Sequence, residues 1–163
     1  MRWIQVDSPF GPLGLFASEK GLVRVAWGRD EIEEFAADAS EAEPADTRLS
    51  AARDWLETYW RGENPGKLPP LDLSGQAEFS RRVLTRLKAL PWGEATSYGE
   101  LAREIGQPGA SRAVGQAVHR NPLCPFIACH RVLAAGGRLG GFAGGPEAKR
   151  RLLSLEGFSP PRA

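Results

Sequence analysis

The sequence predicts a mixed α+β protein of two parts. Residues 1–73 read as a small α/β domain with an antiparallel sheet, and residues 74–163 as a mainly α-helical winged helix-turn-helix domain. Three observations carry this reading. The first 27 residues hold short β-branched and aromatic runs broken by Gly11-Pro12 and Lys20-Gly21, as hairpins would be. Beyond Pro69-Pro70 the apolar spacing turns helical. The third is charge. The net +1 of 163 residues, from 21 Lys+Arg against 20 Asp+Glu, hides a cancellation. Residues 1–73 carry 8 basic and 14 acidic side chains, net −6; residues 74–163 carry 13 and 6, net +7. Such asymmetry points to a polyanion met by the second half alone.

In chain order, the β runs are Trp3-Ile4-Gln5-Val6, Leu13-Gly14-Leu15-Phe16 and Leu22-Val23-Arg24-Val25-Ala26-Trp27. Residues 30–40 are acidic, with Ile32, Phe35 and Ala36 at helical spacing, and a polar linker over 41–46 follows. Leu49, Ala52, Leu56, Tyr59 and Trp60 mark one face of a helix that stops at Gly62. This module clusters no catalytic residue types and reads as structural. Phe79, Val83, Leu84, Leu87 and Leu90 then mark an amphipathic helix ending before Pro91. Residues 98–105 form a short helix, Gly106-Gln107-Pro108-Gly109 a turn, and residues 110–120 a second, small-residue-rich helix. That is the helix-turn-helix pattern. A plain helical hairpin has the same pattern, and the basic character of this half tilts the reading toward DNA. A Gly-rich stretch over 136–145 suits a loop or wing. The last helix starts at Pro146 and ends near Glu156-Gly157, with Ala148, Leu152 and Leu155 on its apolar face and Lys149-Arg150-Arg151 opposite.

Composition excludes several classes. With 42% hydrophobic and 25% charged residues, the chain is neither disordered nor fibrous. No apolar run approaches the roughly 18–20 residues of a membrane span, and the first residues lack a signal-peptide core. Two cysteines are too few for a disulfide framework, which points to a reducing cytoplasm.

Cys129-His130 is the sharpest chemical feature. A thiolate nucleophile needs a depressed pKa or an adjacent base, and Glu156 at a helix end is placed to orient the imidazole. On residue types alone an inert buried cysteine beside a surface histidine is the commoner arrangement. His119, Cys124, Cys129 and His130 fall within 12 residues, but adjacent Cys-His ligands suit a zinc tetrahedron poorly, so no metal is expected. Arg112 is the one large side chain on the first turn of the second helix, fit to enter a base stack, contact phosphate or simply face water. Tyr98 opens the preceding helix, either beside a phosphate or within the core.

Ala128-Cys129-His130-Arg131-Val132 resembles the Pro-Cys-His-Arg-Val signature of the O6-alkylguanine-DNA alkyltransferases. The likeness extends through Thr96-Ser97-Tyr98-Gly99-Glu100-Leu101-Ala102, Ser111-Arg112-Ala113-Val114-Gly115, Asn121-Pro122, Gly144-Gly145 and Leu152-Leu153-Ser154-Leu155-Glu156-Gly157. The resemblance implies a monomer that flips an O6-alkylated guanine from duplex DNA and takes the alkyl group irreversibly, without cofactor. It implies Cys129 as acceptor, activated by His130 and Glu156, with Asn121 bracing the turn that presents it. Arg112 would fill the gap left by the flipped nucleotide, and Tyr98 would rotate the phosphate and support proton donation to the leaving guanine. The base pocket would be lined by Val132, Phe142 and Ala143, and Ala113, Ser80, Arg81 and Gln107 would meet the DNA. Three departures stand out: Ala128 replaces a proline, Phe142-Ala143 replaces Tyr-Ser, and residues 1–73 contain no Cys or His with which to bind zinc. Two rivals remain: a lesion-binding relative that recruits other repair factors without chemistry, and a regulator whose cysteine senses alkylation. Retention of Cys129 argues against the first, and the absence of a separate regulatory motif against the second.

Overall fold

A computed structural model describes residues 1–43 and 45–159; Pro44, inside the expected linker, and residues 160–163, at the end of the expected C-terminal domain, lie outside the described residues. The chain separates into two compact units, Met1–Gly75 and Gln76–Ala163.

The first unit is built on a four-stranded sheet of order β3-β2-β1-β4, from β1 (Arg2–Val6), β2 (Leu13–Ala17), β3 (Leu22–Trp27) and β4 (Ser40–Glu41). β1, β2 and β3 are antiparallel, as hairpin punctuation requires, whereas β4 adds in parallel to β1. All five residues of β2 are buried, because both of its faces are covered. Phe16 packs with Ala26 and with Ile32 of α1 (Arg29–Ala36). Leu13 and Leu15, alternating to the opposite face, suit the side of α2 (Thr47–Trp60), which buries Leu49, Ala52, Trp55, Leu56 and Tyr59. Asp46 caps α2 by accepting from the Arg48 and Leu49 amides.

The helix expected over 30–40 ends at Ala36. Its remainder leaves to pair with β1, where the Ser40 amide donates to Met1 O (3.0 Å) and the Ala42 amide to Trp3 O (2.9 Å). Acidic composition hid a two-residue strand. Gly21 is obligatory at the opposite edge: its φ is +155°, and a Cβ there would stand 2.4 Å from Pro70 O. That close approach lets the Leu22 amide donate to Pro70 O and the Asp72 amide to Leu22 O, tying the end of this unit to β3.

The second unit contains α3 (Glu78–Lys88), β5 (Thr96–Ser97), α4 (Tyr98–Glu104), α5 (Ser111–His119), β6 (Val132–Leu133) and α6 (Pro146–Leu155). Val83, Leu84 and Leu87 of α3, Leu101 and Ala102 of α4, and Val114, Ala117 and Val118 of α5 form its helical core. Ser97 caps α4 by accepting from the Glu100 amide (3.1 Å), while Thr96 Oγ1 donates to the Glu100 carboxylate. β5 and β6 pair in parallel, Thr96 opposite Val132, which brings the start of the helix-turn-helix beside the segment that follows Cys129. The Gly-rich stretch is a loop whose only regular piece is a 3-10 turn at Ala135–Gly137. No helix among the described residues is long and apolar enough to cross a membrane.

Candidate functional site: a buried thiol beside a helix-turn-helix

Consecutive turns present Cys129. Asn121 Nδ2 donates to Ile127 O (2.8 Å) and its Oδ1 accepts from the Leu123 amide (3.0 Å), so one side chain ties both ends of the bend. The Ile127 amide donates to Leu123 O (3.0 Å) and the Cys129 amide to Ile127 O (2.9 Å). Cys129 then opens the 3-10 turn Cys129–Arg131, closed by the Val132 amide on Cys129 O. Ala128 holds φ −82°, close to the value a proline ring would impose, so the backbone keeps that course without the ring.

The turn places Cys129 and His130 on the same side as Glu156, which ends α6. His130 Nε2 hydrogen-bonds the Glu156 carboxylate, and both side chains are fully buried. The other carboxylate oxygen pairs with Arg131 Nε at 2.6 Å. Arg131 is held in turn by Leu90 O (3.1 Å) and Pro91 O (2.8 Å), both accepting from Nη1. A buried carboxylate thus faces two donors, one the imidazole and one a permanent cation.

These neighbours set the titration of the thiol. Cys129 lies well below the ordinary thiol value: a hydrogen bond from Cys124 lowers it most, burial opposes, and hydrogen bonds from His130 and Asn121 lower it further. His130 is raised: burial disfavours its charge, but hydrogen bonds to Cys129 and Glu156 outweigh that cost. Both shifts favour the charged forms of Cys129 and His130, set in a row with the Glu156 carboxylate and the Arg131 guanidinium. Tyr98 is raised by burial and by the Cys129 charge, so its phenol stays protonated and able to donate. Its ring packs against the helix-turn-helix, 3.7 Å from where a Cβ on Gly115 would stand.

The structure therefore gathers Cys129, His130, Glu156, Asn121 and Tyr98 around one sulfur. Val132 is buried; its amide is taken by Cys129 O and its carbonyl accepts from Lys149 Nζ at 2.7 Å. Phe142 is half-buried and Ala143 exposed in the Gly-rich loop. The expected DNA contacts lie elsewhere on this unit. Arg112 and Ala113 are exposed on the first turn of α5, Gln107 is exposed in the turn before it, and Arg81 is exposed beside half-buried Ser80 on α3.

Lys149 overturns its expected place. Sequence spacing put it on the outer face of α6; the structure buries it completely, with Nζ donating to Val132 O and to Gly141 O (3.1 Å). The buried stripe of α6 is Lys149, Leu152, Leu153 and Glu156 rather than Ala148, Leu152 and Leu155. A cation is tolerated there because two carbonyls solvate it, though burial pulls its pKa down to about 8 against the opposing Cys129 charge. The i, i+3, i+4, i+7 spacing from Lys149 to Glu156 carried this signal. Lys149→Met is expected to leave both carbonyls without their donor and to lower stability by about 1–3 kcal/mol, read as a shift in the urea midpoint at unchanged slope. Arg131 and Cys124 also belong to the site, and nothing in their spacing announced it.

Fold and site together define a class: a helix-turn-helix unit carrying a buried thiol that its neighbours hold below the ordinary thiol range. Comparison with known proteins makes this specific. Residues 78–158 match the family described as 6-O-methylguanine DNA methyltransferase, DNA binding domain, and residues 1–72 match its ribonuclease-like domain. The methylated-DNA–protein-cysteine methyltransferase of Methanosarcina acetivorans is 42% identical over 159 residues, covering 96% of this chain and 99% of that one. Its Mycobacterium bovis counterpart is 40% identical over 156 residues, covering 96% and 92%. A Mycobacterium tuberculosis structure described as OGT in complex with DNA superposes with a TM-score of 0.83 at 38% identity, covering 100% of this chain and 96% of that one. The chain belongs to the 6-O-methylguanine DNA methyltransferase family.

Proposed function

We propose that this protein repairs O6-alkylguanine in duplex DNA by moving the alkyl group irreversibly to Cys129, once per molecule. The observation that carries the reading is the buried row Cys129–His130–Glu156 in a family member, with the thiol held below its ordinary range. The Cys129 thiolate attacks the alkyl carbon, and a C–S bond forms as the C–O6 bond breaks. The electron pair leaves on the guanine, which then takes up a proton. A thioether cannot reverse this step, so turnover ends.

Each residue has a part in this scheme. His130 and Glu156 keep the thiol ionised, and Asn121 fixes the turn that carries it. Tyr98, a protonated phenol near the sulfur, supports proton delivery to the leaving guanine and helps to rotate the phosphate. Val132, Phe142 and Ala143 line the base pocket. Arg112, Ala113, Ser80, Arg81 and Gln107 meet the duplex, and Arg112 takes the place of the flipped nucleotide. Flipping is needed because the alkyl carbon cannot be reached in line within the stack. Residues 1–73 serve as a structural domain, and residues 74–163 as the DNA-binding and alkyl-transfer domain. Two reduced cysteines fit a reducing cytoplasm.

The test is intact mass after incubation with a duplex bearing one O6-methylguanine. The expected result is a gain of one methyl group located on the peptide containing Cys129. Lesion-selective binding without a mass change would establish a recruiter instead, and preference for one undamaged operator a regulator.

A second expectation concerns Arg112, exposed and without an ion pair among the described residues. Arg112→Ala is expected to slow repair of duplex DNA roughly ten- to a hundredfold, about 1–3 kcal/mol, by leaving the vacated stack unfilled. Reaction with free O6-methylguanine base should stay within about twofold of wild type. Equal losses on both substrates would remove the stacking role.

A further inference from the structure

The α6 segment grips the chain that follows the nucleophile at two points. Glu156 pairs with His130 and Arg131, and Lys149, on the same buried stripe, takes the next residue through Val132 O at 2.7 Å. Lys149 also reaches a second segment, donating to Gly141 O at 3.1 Å. One buried ammonium group therefore joins β6 to the Gly-rich loop, directly before Phe142 and Ala143. That loop has few side chains to pack, so backbone contacts decide its course. Its first half closes on itself, the Ala134 amide donating to Arg138 O (2.9 Å) and the Gly137 amide to Ala134 O (3.1 Å). Its last part turns into α6, the Gly145 amide donating to Phe142 O (3.0 Å). Gly141 lies between these two closed pieces, where the lysine meets it. Filling space does not explain the residue, since methionine would fill the same volume without the cost of burying a charge. The donor function also outlasts the charge: burial brings the lysine to about 8, and a neutral amine still carries two N–H groups for two carbonyls.

We propose that Lys149 is a positioning residue for alkyl transfer: by joining Val132 O to Gly141 O it ties the Gly-rich loop to the strand after Cys129, and so holds Phe142 and Ala143 where the flipped base is received. The inference rests on the alkyl-transfer reading above and adds one group to it. Lys149 acts through the two segments it joins and takes no part in proton or alkyl movement. Glu156 and Lys149 thereby divide the work of one helix, the first holding the residues that activate the thiol and the second holding the wall that faces the base.

The test compares Lys149→Met, which removes the donor, with Lys149→Arg, which keeps one. Rates are read on the alkaline plateau, where Cys129 is ionised in every variant and a lysine charge no longer bears on its titration. In Lys149→Met, methyl transfer at saturating substrate should fall about ten- to a hundredfold, from an O6-methylguanine duplex and from the free base alike. Carboxamidomethylation of Cys129 by iodoacetamide, which needs the sulfur and not the loop, should stay within about threefold of wild type. Trypsin cleavage after exposed Arg138, within the loop, should quicken about tenfold relative to cleavage elsewhere. Lys149→Arg should recover most of the methyl-transfer rate. Lys149→Gln, one bond too short to span both carbonyls, carries the comparison if the methionine protein does not fold; it should behave as methionine. A methionine or glutamine plateau equal to wild type overturns the proposal, because loss of stability or of charge alone leaves that plateau in place. Equal loss of the iodoacetamide reaction also overturns it, as does a loss confined to the duplex. Methyl transfer absent from wild type, while cleavage after Arg138 still separates the variants, would overturn the alkyl-transfer reading and leave the tether standing.

Discussion

Cys129→Ser is expected to abolish alkyl acceptance, with no methyl gained after prolonged exposure to an O6-methylguanine duplex. Any residual transfer should be slower by a factor on the order of 10⁴ or more, the scale on which loss of a covalent nucleophile acts. The argument rests on ionisation. The surroundings of Cys129, Cys124, His130 and Asn121 among them, pull its titration down, and this favours a thiolate because a thiol begins within reach of neutral pH. A serine hydroxyl in the same place stays protonated and reacts as a poor nucleophile. Cys124 should not take over, since burial alone continues to hold its proton. Affinity for the lesion duplex should change by less than about threefold, because the exposed groups of α3 and α5 are untouched. Methylation found on Cys124 of this variant would show that the bend tolerates either sulfur as acceptor.

The elements were legible wherever local pattern decides structure. The β runs, α2, α3 and the two helices around Gly106-Gln107-Pro108-Gly109 carry hydrophobic periodicity with clear stops, and the observed bounds fall within two residues of those patterns at α4 and α5. β4 was not legible. Two exposed polar residues, Ser40 and Glu41, form a strand only because β1 offers free backbone groups, which no local pattern reports. The same division holds at the site. Cys129-His130 was visible as a reactive pair, and Glu156 as a helix end fit to orient the imidazole. Arg131 and Cys124 required knowledge of where carbonyls and sulfurs converge in space. Lys149 was misplaced for an energetic reason: charged side chains are almost never fully buried unless partnered, and its partners are two backbone carbonyls distant in sequence, Val132 O of β6 and Gly141 O of the Gly-rich loop.

The glutamate carries the second large effect. Glu156→Ala is expected to lower stability by about 3–5 kcal/mol, because it strands the buried Arg131 guanidinium and removes the acceptor of the His130 ring. Glu156→Gln keeps the volume but offers one oxygen and one NH₂ to two donors, so one of them loses its partner; a smaller cost, about 1–3 kcal/mol, is expected. The pH dependence distinguishes loss of charge from loss of shape. His130 is raised in the native state by Cys129 and Glu156 despite burial, so its contribution is fully present below the ordinary imidazole value and is lost as pH rises through the native value. Cys129 is depressed, so its contribution is present above the ordinary thiol value and is lost as pH falls through the native one. Without the glutamate charge the imidazolium is less favoured, the His130 loss moves to lower pH, and the thiolate loses part of its partner. The acid limb of the methyl-transfer profile of Glu156→Gln should therefore shift to higher pH, by about one unit or more. Urea unfolding of the same variant, followed on both sides of the ordinary imidazole value, should show less stability lost on the alkaline side than wild type does. A variant that is merely loosened would lose stability evenly across pH and keep the wild-type limb.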